Sequence, residues 1–334
     1  MRWLVTGGLG FIGSNFVRAA LAAFPKLEIV NLDAMTYAGN PANLRDVDGD
    51  PRYRFVRADI CDAAAVGEAI GDGVDAIVNF AAETHVDRSI LDAGAFVRTD
   101  VLGTQVLLEA VRARAVPRYL HVSTDEVYGD VAEGSSSERD PLRPSSPYAA
   151  SKAGGDLLAL AHHATFGTPV SITRGSNTYG PYQYPEKLVP LFATTLIEGG
   201  SVPLYGDGLQ ERDWIHVDDH VAGVLHVLLH GSAGEVYNIG GGNPRTNLEI
   251  TRLLVDACGA SMETSVRHVT DRQGHDRRYS LDSAKLRSLG WSPRVEFDEG
   301  MRETIAWYRA NDRWWRPLKS GEFLEYYRRQ YANR

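Results

Sequence analysis

Cysteine is scarce in this chain: Cys61 and Cys258 are the only two in 334 residues. Two cannot build a disulfide framework, and the shortage points to a reducing compartment. Long apolar runs are missing as well, since none approaches the roughly 18 residues that a membrane-spanning helix needs. A structural motif begins at Gly7, which leaves no room for an N-terminal signal sequence, so no membrane partner and a cytoplasmic location are expected. Positive charge is in deficit, with 35 Lys and Arg against 43 Asp and Glu, a net charge of -8 and a pI near 5.7. That balance argues against a broad nucleic-acid-binding face. Lysine is rare, occurring at 26, 152, 187, 285 and 319, so a lysine at a chemically meaningful position carries more information than usual. The chain is 43% hydrophobic, 23% charged and 9% aromatic, which fits a globular protein of one large or two modest domains.

Trp3-Leu-Val-Thr6 is a short apolar run that ends in Gly7-Gly8-Leu9-Gly10-Phe11-Ile12-Gly13. Phe11, Ile12, Phe16, Val17, Ala20 and Leu21 then follow at helical spacing. Strand, glycine turn and helix form the context in which glycines at 7, 10 and 13 bind a dinucleotide: a tight turn, a close approach of pyrophosphate to backbone, and close helix packing. A second strand, Ile29–Leu32, ends at Asp33, 20 residues after Gly13, where a carboxylate accepts hydrogen bonds from a ribose. No arginine follows Asp33 directly, so NAD is expected rather than NADP. The alternation continues with strand 53–56, helix 63–71, strand 76–80, helix 94–114 and strand 119–122. It predicts an α/β fold, a doubly wound parallel Rossmann-type sheet whose ligands bind beyond the carboxyl ends of the strands.

After Val122 come Ser123-Thr124-Asp125-Glu126-Val127-Tyr128-Gly129, and farther on Tyr148-Ala-Ala-Ser151-Lys152 enters a helix at about 148–166. Tyr148 and Lys152 are four apart and share one helix face. An ammonium there is expected to stabilise a phenolate and lower the tyrosine pKa toward working pH. Ser123-x-x-Glu126 also reads as a helix capping box, although Tyr128-Gly129-Asp130 breaks the helical pattern beyond it.

The glycine turn and the Tyr148-x-x-x-Lys152 pair resemble the extended short-chain dehydrogenase/reductase superfamily, which acts largely on nucleotide sugars. A narrower resemblance, to the dTDP-glucose 4,6-dehydratase family, is carried over about residues 1–315. Its segments are Leu32–Asn40, Ala81–Ser89, Ser123–Gly129, Asn177–Tyr182, Pro185–Pro190, Val202–Gly206, Arg212–Trp214 and Gly274–Tyr279. The resemblance implies a redox-neutral lyase that turns dTDP-glucose into dTDP-4-keto-6-deoxyglucose and water, serving rhamnose or another deoxysugar pathway. Related 4-epimerases and dehydratases acting on UDP- or CDP-glucose are the alternative, and Thr124-Asp125-Glu126 argues for dehydration. In the implied mechanism Tyr148 and Lys152 serve oxidation at C4, ionised Glu126 takes the C5 proton, and protonated Asp125 protonates the leaving 6-hydroxyl. Thr124 hydrogen-bonds near the 4-oxygen. Two neighbouring carboxyl groups with separated pKa values suit that division.

By the same resemblance NAD would be held by Gly7, Gly10, Phe11, Ile12, Gly13, Asp33, Thr36, Asp59, Ile60, Ala81, Ala82, Glu83 and Thr99, with Tyr148 and Lys152 at its reactive end. The nucleotide-sugar substrate would be held by Thr84, His85, Asn177, Lys187, Leu188, Pro203, Leu204, Tyr205, Arg212, Asn247, Asp271 and His275. Asn177 and Arg212 would grip the diphosphate, and Lys187-Leu188 with Pro203–Tyr205 would border the base. Thr178, Gln273 and Thr84 stand where the family more often has Asn, Pro and Ser. A cofactor domain is expected over 1–175 and a smaller C-terminal α/β substrate domain over 176–334, with some segments returning to the first. The helices at 94–114 and 148–166 imply a homodimer. His216-Val-Asp-Asp-His220 lacks a convincing third ligand, so no metal is expected, and Asp218 or Asp219 reads as a helix N-cap. Trp314-Trp315 and Tyr326-Tyr327 read as packing residues.

Overall fold

A computed structural model of the chain describes residues 1–331. Its first half alternates β1 (Arg2–Thr6), α1 (Phe11–Ala23), β2 (Glu28–Asp33), β3 (Tyr53–Arg57), α2 (Ala63–Ile70), β4 (Ala76–Asn79), α3 (Val86–Leu91), α4 (Ala93–Phe96), α5 (Thr104–Ala113), β5 (Tyr119–Thr124), α6 (Pro147–Phe166) and β6 (Val170–Gly175). The second half contains β7 (Asn177–Tyr179), α7 (Leu188–Ile197), β8 (Val202–Tyr205), β9 (Glu211–His216), α8 (Val217–His230), β10 (Val236–Ile239), β11 (Pro244–Thr246), α9 (Asn247–Cys258), α10 (Met262–Ser265) and β12 (Val266–Val269). It ends in α11 (Ala284–Ser288), α12 (Phe297–Ala310), α13 (Asp312–Trp315) and α14 (Glu322–Tyr331).

Seven strands form one parallel sheet in the order β10-β6-β5-β4-β1-β2-β3. Strand order reverses between β1 and β4, which opens a crevice at their carboxyl ends. Side chains alternate across β1: Trp3 and Val5 join the core under α1 and α8, and Leu4 joins the core under α2, α5 and α6. Both faces are therefore covered, as parallel strands require. A small mixed sheet, β11-β9-β7, and a parallel pair, β12-β8, border a third core built on Trp214, Ile250, Phe297, Met301 and Trp315. Trp315 is fully buried there, and Trp314 Nε1 donates to Asn43 Oδ1 at 2.9 Å.

Two local expectations need correction. The helix expected over 94–114 is interrupted by a π-helical turn, Val97–Gly103, between α4 and α5. Asp100 lies in that turn and is buried, with Oδ2 accepting from Ser151 Oγ at 2.6 Å and Oδ1 accepting from Glu83 N at 3.2 Å. The α8 cap is also not an aspartate. His216 Nδ1 accepts from Asp218 N at 3.3 Å, and Asp219 instead accepts from Arg294 N and Val295 N at 2.9 Å each. His220 turns into the interior and pairs with Thr178 Oγ1 at 2.7 Å.

Helix α6 is pinned from below. Asp156 is fully buried and accepts from Arg174 Nε of β6 at 2.8 Å, and Arg174 is itself 2% exposed. Removing one member of such a pair leaves an uncompensated charge in a dry interior. Asp156→Ala should therefore cost about 3–5 kcal/mol in urea unfolding. A loss below about 1 kcal/mol would mean that Arg174 finds another partner.

Candidate active site

The carboxyl ends of β1, β2, β4, β5 and β6 surround a crevice of about 320 Å³. Every position expected to hold the cofactor lines it: Gly7, Gly10, Phe11, Ile12, Gly13, Asp33, Thr36, Asp59, Ile60, Ala81, Ala82, Glu83, Thr99, Tyr148 and Lys152. The local geometry fits a dinucleotide. Gly7 has φ +70°, and a Cβ there would sit 2.5 Å from Ala81 N; a Cβ on Gly13 would strike the Gly7 carbonyl. Helix α1 starts at Gly10 with no side-chain cap, so its first N–H groups face the crevice as an anion site. At the end of β2, Asp33 is fixed by Leu9 N (3.0 Å) and Met35 N (2.8 Å), one on each carboxylate oxygen. Each oxygen retains a second acceptor position for a ribose hydroxyl.

Strand β5 delivers Thr124 and then a single 3-10 turn, Asp125–Tyr128, capped by Thr124, so the alternative reading of Ser123-x-x-Glu126 as a capping box does not hold. Thr124 Oγ1 accepts from Glu126 N at 3.3 Å and donates to Asp125 Oδ1 at 3.2 Å. Opposite, α6 begins at Ser146, whose Oγ accepts from Ala149 N at 3.1 Å, and Pro147 occupies the first turn. These caps bring Tyr148 and Lys152 to the crevice. Lys152 Nζ donates to Val122 O at 2.9 Å, and the Tyr148 hydroxyl lies beside Thr124. One expectation reverses here. Burial, followed by Glu126 and Asp100, pushes the Tyr148 pKa well above its ordinary value. Helical spacing indicates where an ammonium lies, but burial and the surrounding acids decide the titration.

Asp125 Oδ2 and Glu126 Oε2 are buried with no hydrogen-bond partner among the described residues. Lys187, Arg212 and Arg272 lie close enough to Glu126 to feel its charge. Glu126, Asn177, Glu186 and Lys187 also line a second cavity of about 160 Å³ that continues from the first. Of the expected substrate residues, His85, Asn177, Lys187, Leu188, Pro203, Leu204, Tyr205, Arg212, Asn247 and His275 line it, and Thr84 lines the first cavity. Lys187 Nζ donates to Thr84 O, which puts it at the junction of the two cavities rather than only at the base end. Asp271 lines neither cavity. It pairs with His275 Nδ1 at 2.6 Å and accepts from Gln210 Nε2 at 2.7 Å, so it acts on the wall from behind.

Sequence reasoning missed Arg272, Tyr279, Asp87, Glu186 and Tyr331, all of which line the second cavity. Tyr279 could have been found, because it closes the Gly274–Tyr279 segment and its ring lies 4.1 Å under the Arg212 guanidinium. Arg272 is adjacent to Asp271 but reaches the site only through its partner Asp87, at 3.7 Å. Glu186 is tied to Tyr37 Oη (2.8 Å) and Arg88 Nε (3.1 Å), partners about 100 residues or more away. Glu186 lies inside the Pro185–Pro190 segment and Arg272 inside the 271–275 stretch, yet local spacing singles out neither.

Residues 4–304 match the sequence pattern of the GDP-mannose 4,6 dehydratase family. The chain is 56% identical over 325 residues to a dTDP-glucose 4,6-dehydratase of Streptomyces niveus, covering 96% of each chain. The crystal structure of DesIV, a dTDP-glucose 4,6-dehydratase from Streptomyces venezuelae with NAD bound, superposes with a TM-score of 0.93 at 57% identity, covering 96% of this chain and all of that one. A Bacillus anthracis dTDP-glucose 4,6-dehydratase in complex with NAD gives a TM-score of 0.90 at 45% identity, with 96% of this chain and 100% of that chain covered.

Burial raises the Asp125 pKa well above its ordinary 3.8, Glu126 raises it further, and Arg212 opposes both. Above about pH 4 the unfolded chain gives up this proton while the folded chain keeps it, so this group weakens stability as pH rises. Asp125→Asn holds the neutral shape at every pH. Its stability relative to the parent should be lowest near pH 4 and climb through neutrality, in urea unfolding across a pH series. A flat difference would mean that Asp125 is ionised in the folded chain.

Proposed function

The chain belongs to the dTDP-glucose 4,6-dehydratase family, and from that membership we propose that it converts dTDP-glucose to dTDP-4-keto-6-deoxyglucose and water. The observation that carries this reading is the Asp125–Glu126 pair: adjacent acids on one turn, the first held protonated by burial, the second facing cations. An epimerase has no use for that division of labour. NAD, held along Gly7–Gly13, Asp33 and Asp59, supplies a positively charged ring and a reversible hydride acceptor that oxidises sugar C4 and reduces C6 within one turnover.

The chain's own groups move the protons. Tyr148 Oη, beside Thr124, takes the proton of the 4-hydroxyl as C4 is oxidised, acting as the phenolate that Lys152 and the positive cofactor ring would favour against burial and the nearby acids. Lys152, anchored on Val122 O, holds positive charge one helical turn from that phenol. Thr124 Oγ1 then lies near the new 4-ketone, which acidifies the C5 hydrogen. Glu126 accepts the C5 proton, Asp125 donates its own to the departing 6-hydroxyl so that water leaves, and C5 regains a proton from Glu126 as C6 is reduced. Thr84 and His85 border the sugar, Asn177 and Arg212 face the diphosphate, and the wall from Pro203 to Tyr205 with Asn247 and His275 faces the base. Asp271 supports His275. No helix among the described residues is long and apolar enough to cross a membrane, and a cytoplasmic location suits a nucleotide-sugar substrate. The product would supply deoxysugar assembly, rhamnose among them.

We also infer a homodimer. Leu157 and Phe166 of α6, with Val97 and Leu102 of the π-helical turn, expose large apolar side chains on helices that pack together. A second copy would cover them.

Purified protein given dTDP-glucose without added NAD should show loss of one water by mass spectrometry, whereas UDP-glucose and CDP-glucose should be poor substrates. Product lacking that loss even after NAD is added would overturn the reading. Glu126→Gln should slow solvent-deuterium exchange at C5 by about 10²- to 10⁴-fold; exchange near the parent rate would remove Glu126 as the base. Leu157→Arg should shift the protein from dimer to monomer in size-exclusion light scattering, and a parent that runs as a monomer would end the dimer proposal.

A further inference from the structure

We infer that the last helix, α14, is part of the nucleotide subsite and sets how tightly the pyrimidine nucleoside diphosphate end of the substrate is held. This rests on the dehydratase reading and extends it to residues outside the family-like segments. Phe323, Tyr326, Tyr327, Gln330 and Tyr331 recur at three- and four-residue spacing and face inward, while Leu324, Glu325, Arg328 and Arg329 face water. The first turns are anchored in the third core through Phe323 and Tyr327. Tyr326 packs edge-on to His85 at 5.5 Å and lies under the Arg88 guanidinium at 4.6 Å.

The last turn reaches the cavity itself. Tyr331 lines it, with its ring 5.9 Å from Tyr205 and tilted by 30°. Gln330, 6% exposed, donates from Nε2 to Tyr205 Oη at 2.8 Å. Tyr205 Oη in turn donates to Asp87 Oδ2 at 3.0 Å, and Asp87 Oδ1 lies 3.7 Å from Arg272 Nη1. One line of polar contacts therefore runs from the C-terminal helix across the base wall to Arg272, a cation lining the second cavity. Tyr331 supplies an aromatic face to the nucleotide, and Gln330 is a positioning residue that fixes the Tyr205 ring.

The test is binding of thymidine diphosphate by calorimetry, together with KM and kcat on dTDP-glucose, for Tyr331→Ala, Tyr331→Phe and Gln330→Ala. NAD content and far-UV circular dichroism are followed in parallel. Tyr331→Ala should raise both Kd and KM about tenfold with kcat within about twofold of the parent, Tyr331→Phe should raise them less than the alanine does, and Gln330→Ala should raise Kd about threefold. If Tyr331→Ala fails to fold, Gln330→Ala decides alone. Folded variants that bind thymidine diphosphate as tightly as the parent overturn the inference and leave the dehydratase reading intact. A parent that does not bind thymidine diphosphate at all overturns the reading itself.

Discussion

The buried ion pair between Asp156 and Arg174 joins the two pieces of chain that the chemistry needs side by side. Tyr148, Lys152 and Asp156 are successive members of one i, i+4 stripe on α6, so fixing Asp156 fixes the rotation and height of the other two. Arg174 holds Asp156 with Nε and, with Nη1, donates to Tyr128 Oη at 2.8 Å. Tyr128 ends the turn that carries Asp125 and Glu126, and its hydroxyl donates onward to Asn238 Oδ1 at 2.8 Å. One guanidinium thus sets the helix of the tyrosine and lysine against the turn of the two acids. A buried ion pair is a weak source of net stability, because desolvation takes back most of the attraction. What this pair supplies is register, and the crevice above it depends on register to a fraction of an ångström.

A contrast among the buried acids follows from that frame. Asp33, Asp100 and Asp219 each accept hydrogen bonds on both carboxylate oxygens and serve as fixed points. Asp125 and Glu126 each keep one buried oxygen without a partner among the described residues. Such an atom costs free energy in an empty cavity. It is tolerated where a substrate completes it, and both oxygens belong to the groups proposed to move protons at C5 and C6. The cost to the fold and the capacity for chemistry fall on the same atoms.

How far the sequence reveals this depends on the range of the interaction. The strands are legible because a parallel strand buried on both faces is a short, mostly apolar run, as in Ile29–Leu32 or Ala76–Phe80, with punctuation at its end. Asp33 and the glycines of 7–13 are legible because a tight turn and a ribose contact each demand one residue type at one place. Lys152 stands out because lysine is so rare here. The π-helical turn at Val97–Gly103 is not legible, since one extra residue per turn leaves no mark in composition. The His216 cap is hidden for a different reason: two better capping residues, Asp218 and Asp219, follow it, and Asp219 is taken by the backbone at Arg294 and Val295. Arg272 and Tyr331 enter the second cavity only through packing between segments far apart in the chain.

The two cavities differ in electrical character, and the difference follows from what supplies their walls. The first is made by strand ends and a helix N-terminus, so backbone N–H groups meet its ligand beside side chains that are acidic more often than basic, Asp33, Asp59 and Glu83 among them. The second is made by loops of the C-terminal half, which bring Lys187, Arg212 and Arg272 together in a chain whose net charge is -8. Burial opposes the charge on Lys187 and Arg212, lowering both pKa values. A dianionic ligand between them would relieve that opposition and gain from each cation at short range. Glu126 lies at the seam, touched by both cavities. A diphosphate drawn to the cations would therefore carry its attached sugar back toward Glu126, Asp125 and Tyr148, so the charge that binds one end of the substrate also sets the position of the carbon to be deprotonated.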